Sequence, residues 1–171
     1  MSQTSEDLVK FLRRLRAVKE YTPEPVTQEQ IDDILEIGRW TGSGSNRQPW
    51  ELVVIRDPEV QRKFGEWGAR PSETAGVVFL IVSNSDNNAF DEGRLAERLL
   101  LGAAAHGLGG TVATLKNEGP AAAKELLGIP QERRAFTTVN IGHTDVAARR
   151  SRPANPNPRK PVTEFAHFDR F

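Results

Sequence analysis

The chain contains no cysteine in its 171 residues. That excludes disulfides, thiolate metal sites and a cysteine nucleophile together. It also lacks net charge: lysine plus arginine number 23 and aspartate plus glutamate 23, so no net field points to nucleic acid or an acidic surface. No apolar run approaches the roughly 20 residues that a membrane-spanning helix needs. The first residues, Met1-Ser2-Gln3-Thr4-Ser5-Glu6-Asp7, are polar and acidic, unlike a targeting segment. A cytoplasmic protein is the expectation. His106, His143 and His167 lack metal-ligand spacing, and no serine sits in a nucleophile-elbow context. Gly107-Leu108-Gly109-Gly110 ends a helical pattern and opens a strand, the reverse of a dinucleotide fingerprint, and reads as a helix stop. No hydrolase triad or acid/base pair is present. If the chain is an enzyme, a cofactor carries its chemistry.

At 171 residues and 37% hydrophobic, the chain is long enough for one domain, or one domain with an arm. Leu8, Phe11, Leu12 and Leu15 form a helical stripe, with Ser5 as the expected N-cap. Thr27 and Gln30 make a capping box before a helix that buries Ile31, Ile34 and Leu35. Strand-like runs lie at Leu52 to Ile55, Val77 to Val82, Thr111 to Thr114 and Phe136 to Ile141. Asp57-Pro58 opens a short helix carrying Val60, Phe64 and Trp67. A longer helix runs from about Phe90 to His106, and a short one from Ala121 to Leu127. The C-terminal half of the long helix is apolar nearly all round and requires cover on every side; a second copy of the chain is the expected cover. From Ala147 to Pro161 the chain is rich in arginine, proline and asparagine without apolar periodicity, and Phe165, Phe168 and Phe171 follow. We expect an extended arm, about 147–171, that docks its aromatics on a partner subunit. The irregular mixture of helices and strands indicates an α+β fold.

The segment Gly42-Ser43-Gly44-Ser45-Asn46-Arg47-Gln48-Pro49-Trp50 joins a helix to a strand. Its small residues permit close backbone approach, and Asn46 and Gln48 offer amide groups. Basic residues cluster at Arg13-Arg14-Leu15-Arg16-Ala17-Val18-Lys19 and at Arg159-Lys160. Guanidinium clusters of this kind suit a phosphate, which takes bidentate hydrogen bonds; a solvated helix end is the alternative.

Taken in order, these segments resemble the nitroreductase family of flavin mononucleotide (FMN) enzymes. Arg16-Ala17-Val18-Lys19-Glu20-Tyr21 followed by Pro25-Val26 is similar to the family's Arg-Ser-x-Arg-x-Phe/Tyr signature. The loop from Gly42 to Trp50 is close to Pro-Ser-Gly-x-Asn-x-Gln-Pro-Trp. The long helix ending in Gly107-Leu108-Gly109, the segment Leu126-Leu127-Gly128-Ile129-Pro130 and the terminal Arg159-Lys160-Pro161 complete the match. The resemblance implies a single α+β domain over 1–171, with a mixed or antiparallel central sheet, forming an intertwined homodimer with two FMN sites. It implies flavin contacts from Arg16, Ala17 and Lys19, and from Ser43, Gly44 and Asn46 of the partner subunit. Backbone N–H groups near Thr114 and Leu115 are implied to face the ring, and Arg159 with Lys160 to bind phosphate. Arg70 is a further candidate for the ring's oxygen edge.

The implied activity is hydride transfer from NADH or NADPH to an electron-poor acceptor by alternating half-reactions, without a catalytic side chain. The alternatives are the same fold with other flavin chemistry (flavin breakdown or deazaflavin-linked reduction), or a flavin-sequestering protein. Four positions depart from the pattern. Ala17 replaces a serine and Lys19 an arginine, removing a hydroxyl donor and a bidentate fork. Leu15 stands in place of a first arginine, and Gly42 in place of a proline.

Overall fold

The computed structural model describes residues 3–84, 89–153 and 157–171. Its elements, in order, are α1 (Gln3–Arg14), α2 (Gln28–Arg39), β1 (Trp50–Ile55), α3 (Pro58–Glu66), β2 (Val77–Ser83), α4 (Ala89–Ala105), β3 (Gly109–Thr114), α5 (Gly119–Leu127), β4 (Arg134–Gly142), α6 (Val146–Ser151) and α7 (Val162–Phe165). The four strands form one sheet in the order β1-β2-β4-β3, with every neighbouring pair antiparallel. The fold is α+β, as the sequence pattern indicates.

Every residue of β2 is buried, because its two faces feed two cores. Successive strand side chains point to opposite faces. Val77, Phe79 and Ile81 join Ile31, Ile34, Leu95, Leu99 and Val139 under α2 and α4. Val78, Leu80 and Val82 join Tyr21, Phe64, Leu115 and Ala135 on the side of α3 and α5. The sheet is thus a middle layer between helices. A register shift near Ile81 and Val82 leaves Phe136 as the extra residue of β4, a bulge that bends the strand.

Local chemistry sets the boundaries. Thr27 and Gln30 form the expected capping box of α2. The Asp57 side chain accepts from the N–H of Glu59 at 2.8 Å, with Pro58 in the first turn of α3. After α4, Gly107 adopts φ +72°, the left-handed turn that stops the helix and starts β3.

Two expectations require correction. Ser5 is not an N-cap, since α1 begins at Gln3. Of the α1 stripe, Leu8 is 56% and Leu12 48% exposed, and Phe11 and Leu15 are half-buried. Helix α2 ends at Arg39 with Trp40 as C-cap. The segment after Asp145 is not wholly extended, because α6 and α7 form within it; residues 154–156 of the expected arm lie outside the described residues. Phe165, Phe168 and Phe171 are each at least 79% exposed in the single chain.

Candidate functional site

The segment between α1 and α2 runs along the outer edge of β3. The Val18 N–H donates to Gly110 O at 2.9 Å. The Tyr21 hydroxyl donates to Val18 O at 2.6 Å and reaches Asn140 O on β4 at 2.9 Å. Tyr21 also bridges Thr144. The Asp145 N–H donates to Glu20 O at 3.0 Å, and Arg152 pairs with the Glu20 carboxylate at 3.0 Å. These bonds clamp residues 16–22 between β3, β4 and α6.

Beside this clamp lies a cavity of about 510 Å³. Arg14, Arg16, Arg149 and Arg159 line it, with Glu97 as the one carboxylate; Leu100, Ala104, Leu108 and Val112 supply an apolar wall. Four arginines against one glutamate make the lining suited to an anion, and the wall suits a flat apolar body. Arg16 donates to Arg13 O at 2.8 Å and Leu15 O at 2.7 Å, so part of its fork caps the end of α1.

Of the residues singled out from sequence, Arg16, Ala17 and Arg159 meet at this cavity. Lys19 and Lys160 are exposed and are not among its lining residues. Thr114 lines a smaller neighbouring cavity of about 250 Å³ with Glu92, Glu97, Val112, Arg134 and Thr137. Leu115 requires a correction. Its N–H donates to Phe136 O at 2.9 Å and is spent inside the sheet. The antiparallel alternation then turns the amides of Val112 and Thr114 away from β4, toward the open sheet edge. The Thr114 amide remains the candidate donor of the two. Arg70 is exposed at the start of a 3₁₀ turn, Arg70–Thr74.

Ser43, Gly44 and Asn46 do not line the cavity within the chain. They sit on a 3₁₀ turn, Gly44–Asn46, leading into β1. The Gln48 N–H donates to Ser43 Oγ at 2.8 Å, and the Gln48 side chain to Asn46 O at 3.2 Å. Ser45, Asn46 and Gln48 have φ of 52°, 53° and 47°, a left-handed conformation that costs non-glycine residues energy and clusters at functional loops. At Gly42 an added Cβ would lie 2.9 Å from the Arg94 guanidinium. Arg94 occupies the space that a side chain there requires.

Sequence reasoning missed Arg149 and Glu97. It also missed two buried polar networks. Ser72 Oγ donates to Asn140 Oδ1 at 2.6 Å, and Asn140 Nδ2 to Thr138 Oγ1 at 3.2 Å. Glu92, only 4% exposed, accepts from Ser83 Oγ and from Thr137 Oγ1 at 3.3 Å, and pairs with Arg134 Nε at 3.3 Å. These networks brace the strands behind the cavity. The one visible signal was the i, i+3 spacing of Arg149 and Arg152 after the capping residue Asp145.

Comparison with known proteins finds relatives by sequence and by fold. The profile of the Nitroreductase family matches residues 12–86. A protein of Archaeoglobus fulgidus named putative NADH dehydrogenase/NAD(P)H nitroreductase is 28% identical over 149 residues, 81% of this chain and 86% of the relative. The NADPH-flavin oxidoreductase of Vibrio harveyi is 27% identical over 179 aligned positions, 91% of this chain and 71% of the relative. An FMN-dependent nitroreductase from Clostridium difficile superposes with a TM-score of 0.80 at 21% identity, over 95% of this chain and 99% of that one. This last likeness is one of fold.

Proposed function

We propose that this chain, a nitroreductase-family protein by its fold and by the signature across residues 12–86, is an FMN-dependent oxidoreductase. It passes hydride from NADH or NADPH to an electron-poor acceptor, such as a nitroaromatic, quinone or conjugated compound, in a ping-pong cycle. Residues 1–171 act as one domain of a cytoplasmic homodimer, with 147–171 packing on the partner subunit. The observation that carries the reading is the cavity where Arg14, Arg16, Arg149 and Arg159 face an apolar wall. A flavin mononucleotide needs both: cations for the phosphate and an apolar surface for the ring. The donor set therefore fits the group.

Arg16 and Arg159 would hold the phosphate. Leu100, Ala104 and Val112 would offer the ring an apolar surface. The outward amide of Thr114 would supply a backbone donor to the group. Ser43, Gly44 and Asn46 enter from the second copy. Bound there, FMN supplies the two-electron hydride chemistry, and no side chain of the cavity is required as acid or base. The relative named NADPH-flavin oxidoreductase supports the nicotinamide donor. The test is spectral. The protein is loaded with FMN without oxygen, NADH or NADPH is added, and the flavin absorbance is followed. Bleaching, then recovery on adding a quinone, supports the reading; no bleaching with either nucleotide refutes it.

A further inference from the structure

Arg149 stands out among the four guanidinium groups of the cavity. Arg16 spends part of its fork on the carbonyls of Arg13 and Leu15. Arg152, three residues on from Arg149, is paired with Glu20. Arg149 is half-buried; its backbone bonds Asp145 O and Arg152 N–H, yet its guanidinium has no hydrogen bond or ion pair among the described residues. A partly desolvated cation without a partner is costly unless an anion supplies one.

Its placement is built into the fold. The Asp145 carboxylate accepts the N–H of Ala148 at 2.9 Å and caps α6. The Asp145 N–H and Arg152 both bind Glu20, one residue beyond the basic segment Arg16–Lys19. Residues three apart share a helix face. The pairing of Arg152 with Glu20 therefore turns Arg149 toward the same segment, into the cavity. The position also answers a deficit. Ala17 offers no hydroxyl, and Lys19 neither has a guanidinium fork nor lines the cavity.

We propose that Arg149 is a phosphate-binding residue of this chain, giving the flavin phosphate the bidentate guanidinium contact that positions 17 and 19 do not provide. This rests on the FMN reading above. The test titrates the protein with FMN and with riboflavin, which lacks the phosphate, and follows quenching of flavin fluorescence. Arg149→Gln is expected to weaken FMN binding roughly 10- to 100-fold, as for a lost hydrogen bond to a charged group, and to leave riboflavin binding unchanged. Arg149→Lys should recover only part of the loss, since it restores charge without the fork. Arg150→Gln removes the same charge one position away, at an exposed residue outside the cavity, and should stay within about twofold of wild type. Melting curves of all variants show whether each is folded. If wild type binds FMN and Arg149→Gln binds it as Arg150→Gln does, the inference is overturned and the FMN reading stands. Equal loss of FMN and riboflavin also overturns it, because the effect is then not on phosphate. If wild type binds neither flavin, both fall together.

Discussion

Tyr21→Phe removes one oxygen and preserves the ring. In the wild type that oxygen is 2.6 Å from Val18 O and 2.9 Å from Asn140 O, in a side chain only 6% exposed. A hydroxyl has a single proton to share between these acceptors, so one hydrogen bond is lost and a buried carbonyl is left short of a donor. We expect a loss of about 1.5 kcal/mol at neutral pH, read by denaturant unfolding. That corresponds to a fall in Tm of about 3–6 °C for a chain of this size. The pH dependence supplies a second check. Burial, with the Glu20 charge as a smaller cause, pushes the Tyr21 hydroxyl well above its ordinary value of 10.0. Because the folded value is raised, the associated stability is complete below about pH 10 and is lost as pH rises above it. By pH 11 the unfolded tyrosine is mostly ionised and the folded one is not, which costs the wild type about 1.4 kcal/mol. The phenylalanine variant has nothing to ionise at this position, so the gap between the two proteins should nearly close at pH 11. A neutral-pH difference under about 0.3 kcal/mol, or a gap that stays constant to pH 11, refutes the reasoning. Val18 lies in the segment that carries Arg16, so FMN affinity should fall with stability.

Gly109→Ala would place a Cβ 2.6 Å from Thr144 Oγ1 and 2.7 Å from Val18 Cβ. Overpacking there should cost about 1–3 kcal/mol and weaken FMN binding; unchanged unfolding would show that the Arg16–Val18 segment yields freely. Glu97→Gln removes the carboxylate from the cavity and should strengthen FMN binding about two- to tenfold, more at low salt than at 1 M. Salt-independent affinity equal to wild type would place Glu97 outside the ligand's field. Asn46→Ala, at an exposed position with φ 53° that asparagine tolerates better than alanine, should lower Tm only by a few degrees and weaken FMN binding about tenfold; unaltered affinity would remove the loop from the site.

The parts legible in sequence are those that local physics decides. Periodicity located β2 and α4, and the Thr27–Gln30 box marked the start of α2, because each depends on residues within a turn or two. The two-core arrangement was hidden because β2 is apolar at all but its last residue, so the alternation that splits Val77 from Val78 leaves no polar trace. Helix α6 was missed for a different reason. Its six residues carry no apolar stripe, and it is held by its Asp145 cap and by the Arg152–Glu20 pair, 132 positions apart. The polar bracing is equally non-local: Tyr21 reaches Asn140 across 119 positions and Ser72 reaches it across 68. In α1 the stripe was readable, but Leu8 and Leu12 remain 56% and 48% exposed in the single chain.

The separation of the loop from the cavity has a geometric cause. The loop feeds β1 and the cavity lies on β3, and these strands are opposite edges of the sheet. Three strand spacings put the edges about 14 Å apart. Trp50, next to the loop, pairs with Ser83, which pairs with Arg134 at the start of β4; Gly109, at the cavity, pairs with Gly142 at its end. The eight steps from 134 to 142, one of them taken up by the bulge at Phe136, add about 23 Å along the strand, so the loop lies about 27 Å from the Gly109 end of the cavity and about 20 Å from Val112, which pairs with Val139. A mononucleotide does not span that distance. If both features bind one flavin, the loop must come from a second copy in a two-fold arrangement. Asn46→Ala and Arg159→Ala then damage different subunits' shares of one site. Unfolding and refolding the two variants together should produce heterodimers in which one site carries both defects and the other none. Random pairing at equal amounts restores about a quarter of the sites to wild-type affinity, seen as a tight phase in the FMN titration that neither variant shows alone. Its absence in a mixture shown to contain heterodimers would place the loop and the cavity in separate sites.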